Sequence, residues 1–183
     1  ALAQFYSRIL DCAIPRLRRV ARMNLSFALP SADAKAITDG VFRSIGRILL
    51  AFARFPSIRR DTVGQWIRCE GMEHYDEAIR AGRGVLFATA HLGNWELSAY
   101  AHALLRAPMH VVVRPLDNPF IDALVERRRA MSGNRPISKR ESARAILRAL
   151  AANEAVGILI DQNSAPESGV FVDFFGRPAC AAT

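Results

Sequence analysis

The stretch VLFATAHLGNWE, residues 85–96, decides the fold class of this sequence. It opens with a continuous apolar run, which is typical of a strand buried on both faces of a sheet. Gly93 suits a tight turn, Asn94 suits a helix N-cap, and a helical pattern follows over residues 95–106. The stretch therefore predicts a strand, a turn that carries polar groups, and a helix.

The same alternation of strand and helix extends to both sides of this stretch. Further strands are predicted by apolar or β-branched runs at 65–70, 110–114 (HVVVR), 155–160 (AVGILI) and 170–174 (VFVDF). Helices are predicted by helical spacing at 73–81, 118–131 and, from a capping box at Ser138–Glu141, to about residue 152. Strands that alternate with helices indicate βαβ units, so we expect an α/β fold with a mostly parallel sheet and flanking helices.

The first third of the chain has a different pattern. Apolar residues at helical spacing predict a helical region over 2–28, kinked by Pro15, and a second helix over 37–52. We therefore expect residues 1–60 to form an N-terminal helical, membrane-proximal segment. Residues 61–183 are expected to form the α/β domain.

An arginine cluster in the first helical region allows two interpretations. Arg16, Arg18, Arg19 and Arg22 lie among apolar residues. A basic amphipathic helix of this kind can lie in a membrane interface. It can equally pack on the domain with its arginines in water. The residues themselves leave both interpretations open.

The composition excludes several classes of protein. With 183 residues, 51% of them hydrophobic, the chain suits one folded domain and not a disordered segment. The three cysteines form no C-x-x-C pair, which argues against a disulfide framework or a zinc site. The net charge is +8, and only two of the 25 basic residues are lysines. This excess indicates either an anionic partner or a general codon bias.

Polar residues follow three of the predicted strands directly. His91 follows the run at 85–90, and Arg114 follows the three valines of the run at 110–114. Asp161 and Gln162 follow the run at 155–160. Since ligands of open α/β sheets bind beyond the carboxyl ends of the strands, these groups are expected to converge on one edge. Arg114 suits two roles. It can bind a phosphate or carboxylate group of a ligand, or it can form a salt bridge that anchors a loop.

His91 and Glu96 form the sharpest candidate pair. They would not share a face of a continuous helix, but a turn at Gly93 would let the carboxylate approach the imidazole. A histidine held by a carboxylate is a general base for a hydroxyl, and main-chain amides at the helix start could bind a developing oxyanion. The alternative is a structural histidine at a strand end. The triplet Arg127–Arg129 is expected on the solvated outer face of its helix, and a surface that binds phosphate is the alternative.

Five blocks in this order resemble one known family. They are RRVARMNLSFALP (18–30), HLGNWE (91–96), VVRPLDNP (112–119), IDQN (160–163) and GVFVDFFGRPACAAT (169–183). Their pattern resembles the late acyltransferases of lipid A biosynthesis, of the lauroyl and myristoyl type, within the wider lysophospholipid acyltransferase group. Members of that family extend further, so the α/β domain is expected to be incomplete here.

The resemblance implies a reaction at the cytoplasmic face of the inner membrane of a Gram-negative bacterium. An acyl chain would move from acyl carrier protein or acyl-CoA to a hydroxyl of a lipid A precursor or related glycolipid, with no metal or organic cofactor. His91 would be the base and Glu96 would orient it. Substrate contacts would come from residues at the motif positions, namely Gly93, Asn94, Arg114, Asn118, Asp161 and Gln162.

Two other functions remain open at this point. One is an acyltransferase for another membrane lipid. The other is a non-enzymatic basic module that binds membranes or nucleic acid through its arginines. Nucleic acid is disfavoured because the aromatic residues are mostly phenylalanines inside apolar runs, away from the arginines.

Overall fold

A computed structural model describes residue 5 and residues 15–139 and 142–182. Its helices are α1 (Pro15–Ala28), α2 (Ala34–Arg54), α3 (Met72–Arg80), α4 (Trp95–Leu105), α5 (Pro119–Ala130) and α6 (Ser142–Ala151). Its strands are β1 (Val85–Thr89), β2 (Met109–Val113), β3 (Arg135–Ser138), β4 (Ala155–Leu159), β5 (Gly169–Phe174) and β6 (Arg177–Ala182).

A four-stranded parallel sheet with strand order β1-β4-β2-β3 organises the fold. Helices connect its strands, as the alternating pattern predicts, so the predicted α/β class is confirmed. In the register of β1 and β4, Thr89 lies opposite Leu159. The residues that follow these two strands therefore leave the sheet side by side, and this places the candidate site.

The main core joins the end of α2 and the segment that follows it to α4. Phe55 and Tyr100 are 1% and 4% exposed, and their ring centroids lie 4.2 Å apart. The Tyr100 hydroxyl donates to the main-chain oxygen of Phe55 at 3.0 Å, so this buried polar group is satisfied. Burial of such aromatic side chains fixes α2 on the α/β unit at its C-terminal end.

Strand β4, and not β1, is the most deeply buried strand. Val156 of β4 is fully buried, whereas Leu86 of β1 is 52% exposed. The expectation that residues 85–90 are buried on both faces is thus wrong, because β1 is an edge strand of this sheet. A continuous apolar run does not distinguish an edge strand from a central one.

Of two other strand predictions, one is wrong and one is confirmed as a strand outside the parallel sheet. Residues 65–70 form no strand, because a short 3₁₀ helix at Val63–Gln65 turns the chain there and buries Val63 in the core. Residues 170–174 do form a strand, but β5 pairs antiparallel with β6 in a separate two-stranded sheet. They are therefore no part of the parallel sheet.

The structure adds a strand where a helix start is predicted. Ser138 ends β3, which pairs parallel with β2, while Glu141 of the predicted capping box lies outside the described residues. Pro136 is tolerated because β3 is an edge strand. Helical spacing would also place Phe120 of α5 on the inward face, but no residue of this helix is buried and Phe120 is 85% exposed.

Arg18 is one of the residues through which helix α1 packs on α2. Arg18 forms an ion pair with Asp39 and lies over the Phe42 ring, 4.4 Å from its centroid. Pro15 is the first residue of α1, where a proline costs no helical hydrogen bond, and most of the predicted helix before it lies outside the described residues. None of the described helices combines the length and apolarity needed to cross a membrane.

Candidate active site

His91 and Asp161 are joined by two hydrogen bonds at the carboxyl edge of the parallel sheet. Nδ1 of the His91 ring lies 2.8 Å from Oδ1 of Asp161, and the main-chain N–H of His91 donates to Oδ2 at 2.8 Å. The adjacent strands β1 and β4 deliver these residues from positions 70 apart in the sequence. The predicted convergence of histidine and carboxylate at this edge is confirmed for this pair.

The Asp161 carboxylate is held in its charged form. Partial burial favours a higher pKa for Asp161, but hydrogen bonds from the His91 side chain and main chain outweigh it, and the pKa is lowered. An ionised carboxylate on Nδ1 favours the tautomer with the proton on that atom, which leaves Nε2 with a lone pair. Nε2 is thus the basic atom of this pair.

Two other side chains surround the His91 ring. The Trp95 ring lies edge-on to it, with 4.9 Å between centroids. The side-chain nitrogen of Gln162 lies 3.5 Å from Nε2, at the outer limit of a hydrogen bond. The His91 side chain remains 32% exposed, so the ring is open to a substrate.

The turn between β1 and α4 has the predicted backbone conformation and helix cap. Gly93 has a φ of +63°, a conformation that side chains rarely adopt. The Asn94 side chain accepts from the main-chain N–H of Leu97 at 3.1 Å and caps α4. This turn brings the N-terminus of α4 next to the imidazole, which is where an oxyanion would find main-chain donors.

Glu96 binds an arginine and not His91. Its two carboxylate oxygens accept from Nε of Arg129 at 3.0 Å and from Nη2 at 2.5 Å. The predicted contact between Glu96 and the imidazole is therefore absent from this arrangement, because a bidentate guanidinium occupies the carboxylate. The implied role of Glu96 in orienting the histidine stays a prediction.

The position of Arg129 contradicts the expectation that the arginine triplet lies on a solvated face. Its side chain is 23% exposed and that of Glu96 is 14% exposed, so this member of the Arg127–Arg129 triplet is not on a solvated face. Burial favours a lower pKa for Arg129, but the hydrogen bond to Glu96 outweighs it and raises the pKa. The pair ties α4 to α5 beside the site.

Arg114 and Asn118 lie in the segment after β2. Arg114 donates to Asp117 at 3.0 Å, and both side chains are mostly exposed, which matches the loop-anchoring alternative. The Asn118 side chain accepts from the main-chain N–H groups of Phe120 and Ile121 at 3.0 and 3.3 Å and so caps α5. Substrate contacts by Arg114 and Asn118 remain predictions.

An open groove of about 320 Å³ leads to His91, and we call it the α2 groove. It runs between the middle of α2 and the turn after β1. Its walls are mostly apolar and come chiefly from Val41, Ser44, Ile45, Ile48, Leu92 and Trp95. Among the described residues, no group of three or more His, Cys, Asp or Glu side chains could hold a metal ion.

The comparisons with known proteins identify the family of this chain. A sequence model of the family "Bacterial lipid A biosynthesis acyltransferase" matches residues 2–183. The chain belongs to this family of bacterial acyltransferases.

Individual relatives cover nearly the whole chain. It is 30% identical to the lipid A biosynthesis palmitoleoyltransferase of Escherichia coli (strain K12), over 97% of the chain and 59% of that protein. It is also 30% identical to the lipid A biosynthesis lauroyltransferase of the same organism, over 92% of the chain and 55% of that protein. The chain thus spans a little over half the length of these relatives.

Proposed function

We propose that the protein is an O-acyltransferase that moves a fatty acyl chain from a thioester to a hydroxyl of a lipid A precursor or related glycolipid. The observation that carries this proposal is the His91–Asp161 pair at the carboxyl edge of the sheet in a chain of this family. A histidine base whose ring is open to a substrate is what deprotonation of a hydroxyl requires.

The reaction is an acyl transfer in two steps. His91 Nε2 takes the proton of the acceptor hydroxyl while its oxygen attacks the thioester carbonyl carbon. Asp161 stabilises the imidazolium that forms, and main-chain N–H groups next to Gly93 bind the oxyanion. The tetrahedral intermediate then expels the thiolate sulfur, which takes the proton back from His91.

Glu96 supports this site through Arg129 in our proposal. The ion pair fixes the first turn of α4 to α5, and that turn carries the amides near the imidazole. Gln162 lies beside Nε2, where it can contact the hydroxyl that enters. Acyl carrier protein or coenzyme A serves as the thioester donor.

The proposed location is the cytoplasmic face of the inner membrane. Helix α1 offers exposed basic residues such as Arg16 and Arg19 beside exposed apolar ones such as Leu17 and Met23. Such a surface suits anionic lipid headgroups, with the apolar side chains in the interface. A membrane-bound glycolipid acceptor would then be close to the sheet edge.

The test uses the protein expressed from its complete reading frame. It is incubated with acyl-acyl carrier protein or acyl-CoA and a panel of lipid acceptors, and mass spectrometry measures the acyl mass gain. We expect a gain on a lipid A precursor that is lost in His91→Ala and kept in His74→Ala, a variant of an exposed histidine on α3. A gain on another lipid would change the acceptor, and no gain on any acceptor would refute the proposed activity.

A further inference from the structure

Three segments that leave the carboxyl edge of the parallel sheet each expose a large apolar side chain. Leu92, in the turn after β1, and Phe120, in the first turn of α5, are both 85% exposed, and Ile160, directly after β4, is 48% exposed. Because β1, β4 and β2 are neighbours and strands lie about 4.8 Å apart, these segments leave the sheet within about 10 Å of one another. They share this edge with His91, and we call the three apolar residues the carboxyl rim.

The amino edge of the same sheet has the opposite character. Glu154, just before β4, accepts hydrogen bonds from His110 of β2 and Arg135 of β3. Arg106, which precedes β2, forms an ion pair with Asp76 of α3. Charged groups of this kind suit water, whereas neighbouring exposed apolar side chains mark a surface that contacts a partner. The contrast between the two edges indicates that an apolar partner meets the carboxyl rim.

Helix α5 carries an arginine at a distance from the rim that suits a lipid headgroup. The helix connects the parallel strands β2 and β3, so it begins at the carboxyl edge and runs back towards the amino edge. Arg127 is exposed two turns after Phe120, on the same side of the helix and about 10 Å further along its axis. The long arginine side chain can reach phosphate groups while the phenylalanine contacts the acyl boundary. The net charge of +8 favours the same anionic surface.

We propose that the carboxyl rim contacts an anionic lipid bilayer, so that the sheet edge with His91 faces the membrane and the first turn of α5 lies in the interface. This inference rests on the proposed function and adds an orientation to it. A glycolipid acceptor is held in the bilayer by its own acyl chains. Its hydroxyl would therefore reach Nε2 directly if the carboxyl edge faced the lipid surface.

The experiment places a tryptophan reporter on the rim of the protein expressed from its complete reading frame. Phe120→Trp is the rim variant, and Leu147→Trp, in the middle of α6 at a position that is 67% exposed, is the matched control. No residue of α5 is buried, so the rim variant should fold normally. Emission in excess of the wild type is recorded without lipid and with vesicles of phosphatidylethanolamine and phosphatidylglycerol. A second set of vesicles carries bromine on the acyl chains, which quenches tryptophan only on contact.

Vesicles should shift the excess emission of Phe120→Trp to shorter wavelength, and brominated acyl chains should quench it, while Leu147→Trp responds to neither. Phe120→Ser should weaken vesicle binding by about tenfold, because a phenylalanine side chain gains much from leaving water, and Leu147→Ser should bind as the wild type does. Arg127→Gln should reduce the dependence of binding on salt.

Two results would overturn the proposal. Excess emission of Phe120→Trp that is already shifted without lipid would mean that another part of the complete chain covers the rim. Excess emission that vesicles neither shift nor quench would leave the rim in water. Since no readout here depends on turnover, a failure of the rim contact is distinguishable from a failure of acyl transfer, which would refute the proposed function instead.

Discussion

Asp161 holds His91 at two points, with one carboxylate oxygen on Nδ1 of the ring and the other on the main-chain N–H, each at 2.8 Å. The double contact fixes the position of the backbone and the orientation of the imidazole together. It exists because β1 and β4 are parallel neighbours in register, so the residues after them leave the sheet side by side. The relationship is a property of the sheet, and the chemistry proposed for Nε2 depends on it.

Replacement of Asp161 by asparagine should lower kcat by roughly 10²–10⁴ with little change in the fold, because an amide can stabilise the wrong tautomer and does not stabilise an imidazolium. Asp61→Asn, in an exposed pair with Arg59, serves as the control. The measurements are kcat with a saturating acyl thioester and the thermal unfolding midpoint. Near-normal turnover in a folded Asp161→Asn protein would mean that Asp161 does not support the base.

The Glu96–Arg129 pair should contribute to stability as a unit. Glu96→Gln or Arg129→Gln is expected to cost about 2 kcal/mol of unfolding free energy, less than the roughly 3–5 kcal/mol of a fully buried pair, and the double variant should cost less than the sum. Arg127→Gln on the exposed face of α5 is the matched control. Urea unfolding of the wild type, the two single variants and the double variant measures the coupling energy between Glu96 and Arg129. Strictly additive losses of unfolding free energy would exclude a coupling.

The sequence predicts this site in part. The apolar runs that precede His91 and Asp161 are local signals of strands. The parallel pairing of these two strands brings the two residues together. The partner of Glu96 could not be predicted in the same way, because Arg129 lies 33 residues away on another helix. Only the folded chain brings the guanidinium close enough to bind the carboxylate. The spacing of residues along the chain shows which contacts are possible, but not which of them forms in the folded protein.

The errors in the fold have similar physical origins. Strand β3 contains a proline and a single buried apolar residue, Ile137, so no apolar run indicates it. Strand β5 has the pattern of a sheet strand, but local pattern does not specify its partner, which is the next strand β6. The position of β1 at the sheet edge likewise follows from the strand order.

Gly84, just before β1, should be irreplaceable for steric reasons. It has a φ of +70°, and a Cβ there would lie 2.7 Å from Cα of Leu150 and 2.9 Å from the main-chain oxygen of Glu154. Gly84→Ala should therefore cost about 3 kcal/mol, from left-handed strain and overpacking together. Gly82→Ala has a similar φ of +72° with no atom within 4 Å, and should cost only about 1 kcal/mol. Chemical denaturation compares the two, and equal losses would exclude the steric argument.

Glu154 should give the fold a dependence on acid pH. It lies just before β4, and its carboxylate accepts from Nε2 of His110 at 2.7 Å and from Nη1 of Arg135 at 3.2 Å. The hydrogen bond with His110 is the main cause that lowers the pKa of Glu154 below its ordinary value of 4.5. A carboxyl whose pKa is lower in the folded than in the unfolded chain contributes stability above the unfolded pKa, and this contribution is lost as the pH falls through the folded pKa.

Glu154→Gln should therefore be less stable than the wild type from neutral pH down to about 4.5, and the difference should shrink as the pH falls further. Urea unfolding of both proteins across this range measures it. Glu77→Gln, at an exposed position of α3, is the control and should show no such trend. A difference that stays constant down to the most acid pH would mean that Glu154 acts through packing, because protonation of its carboxylate weakens the contacts with His110 and Arg135.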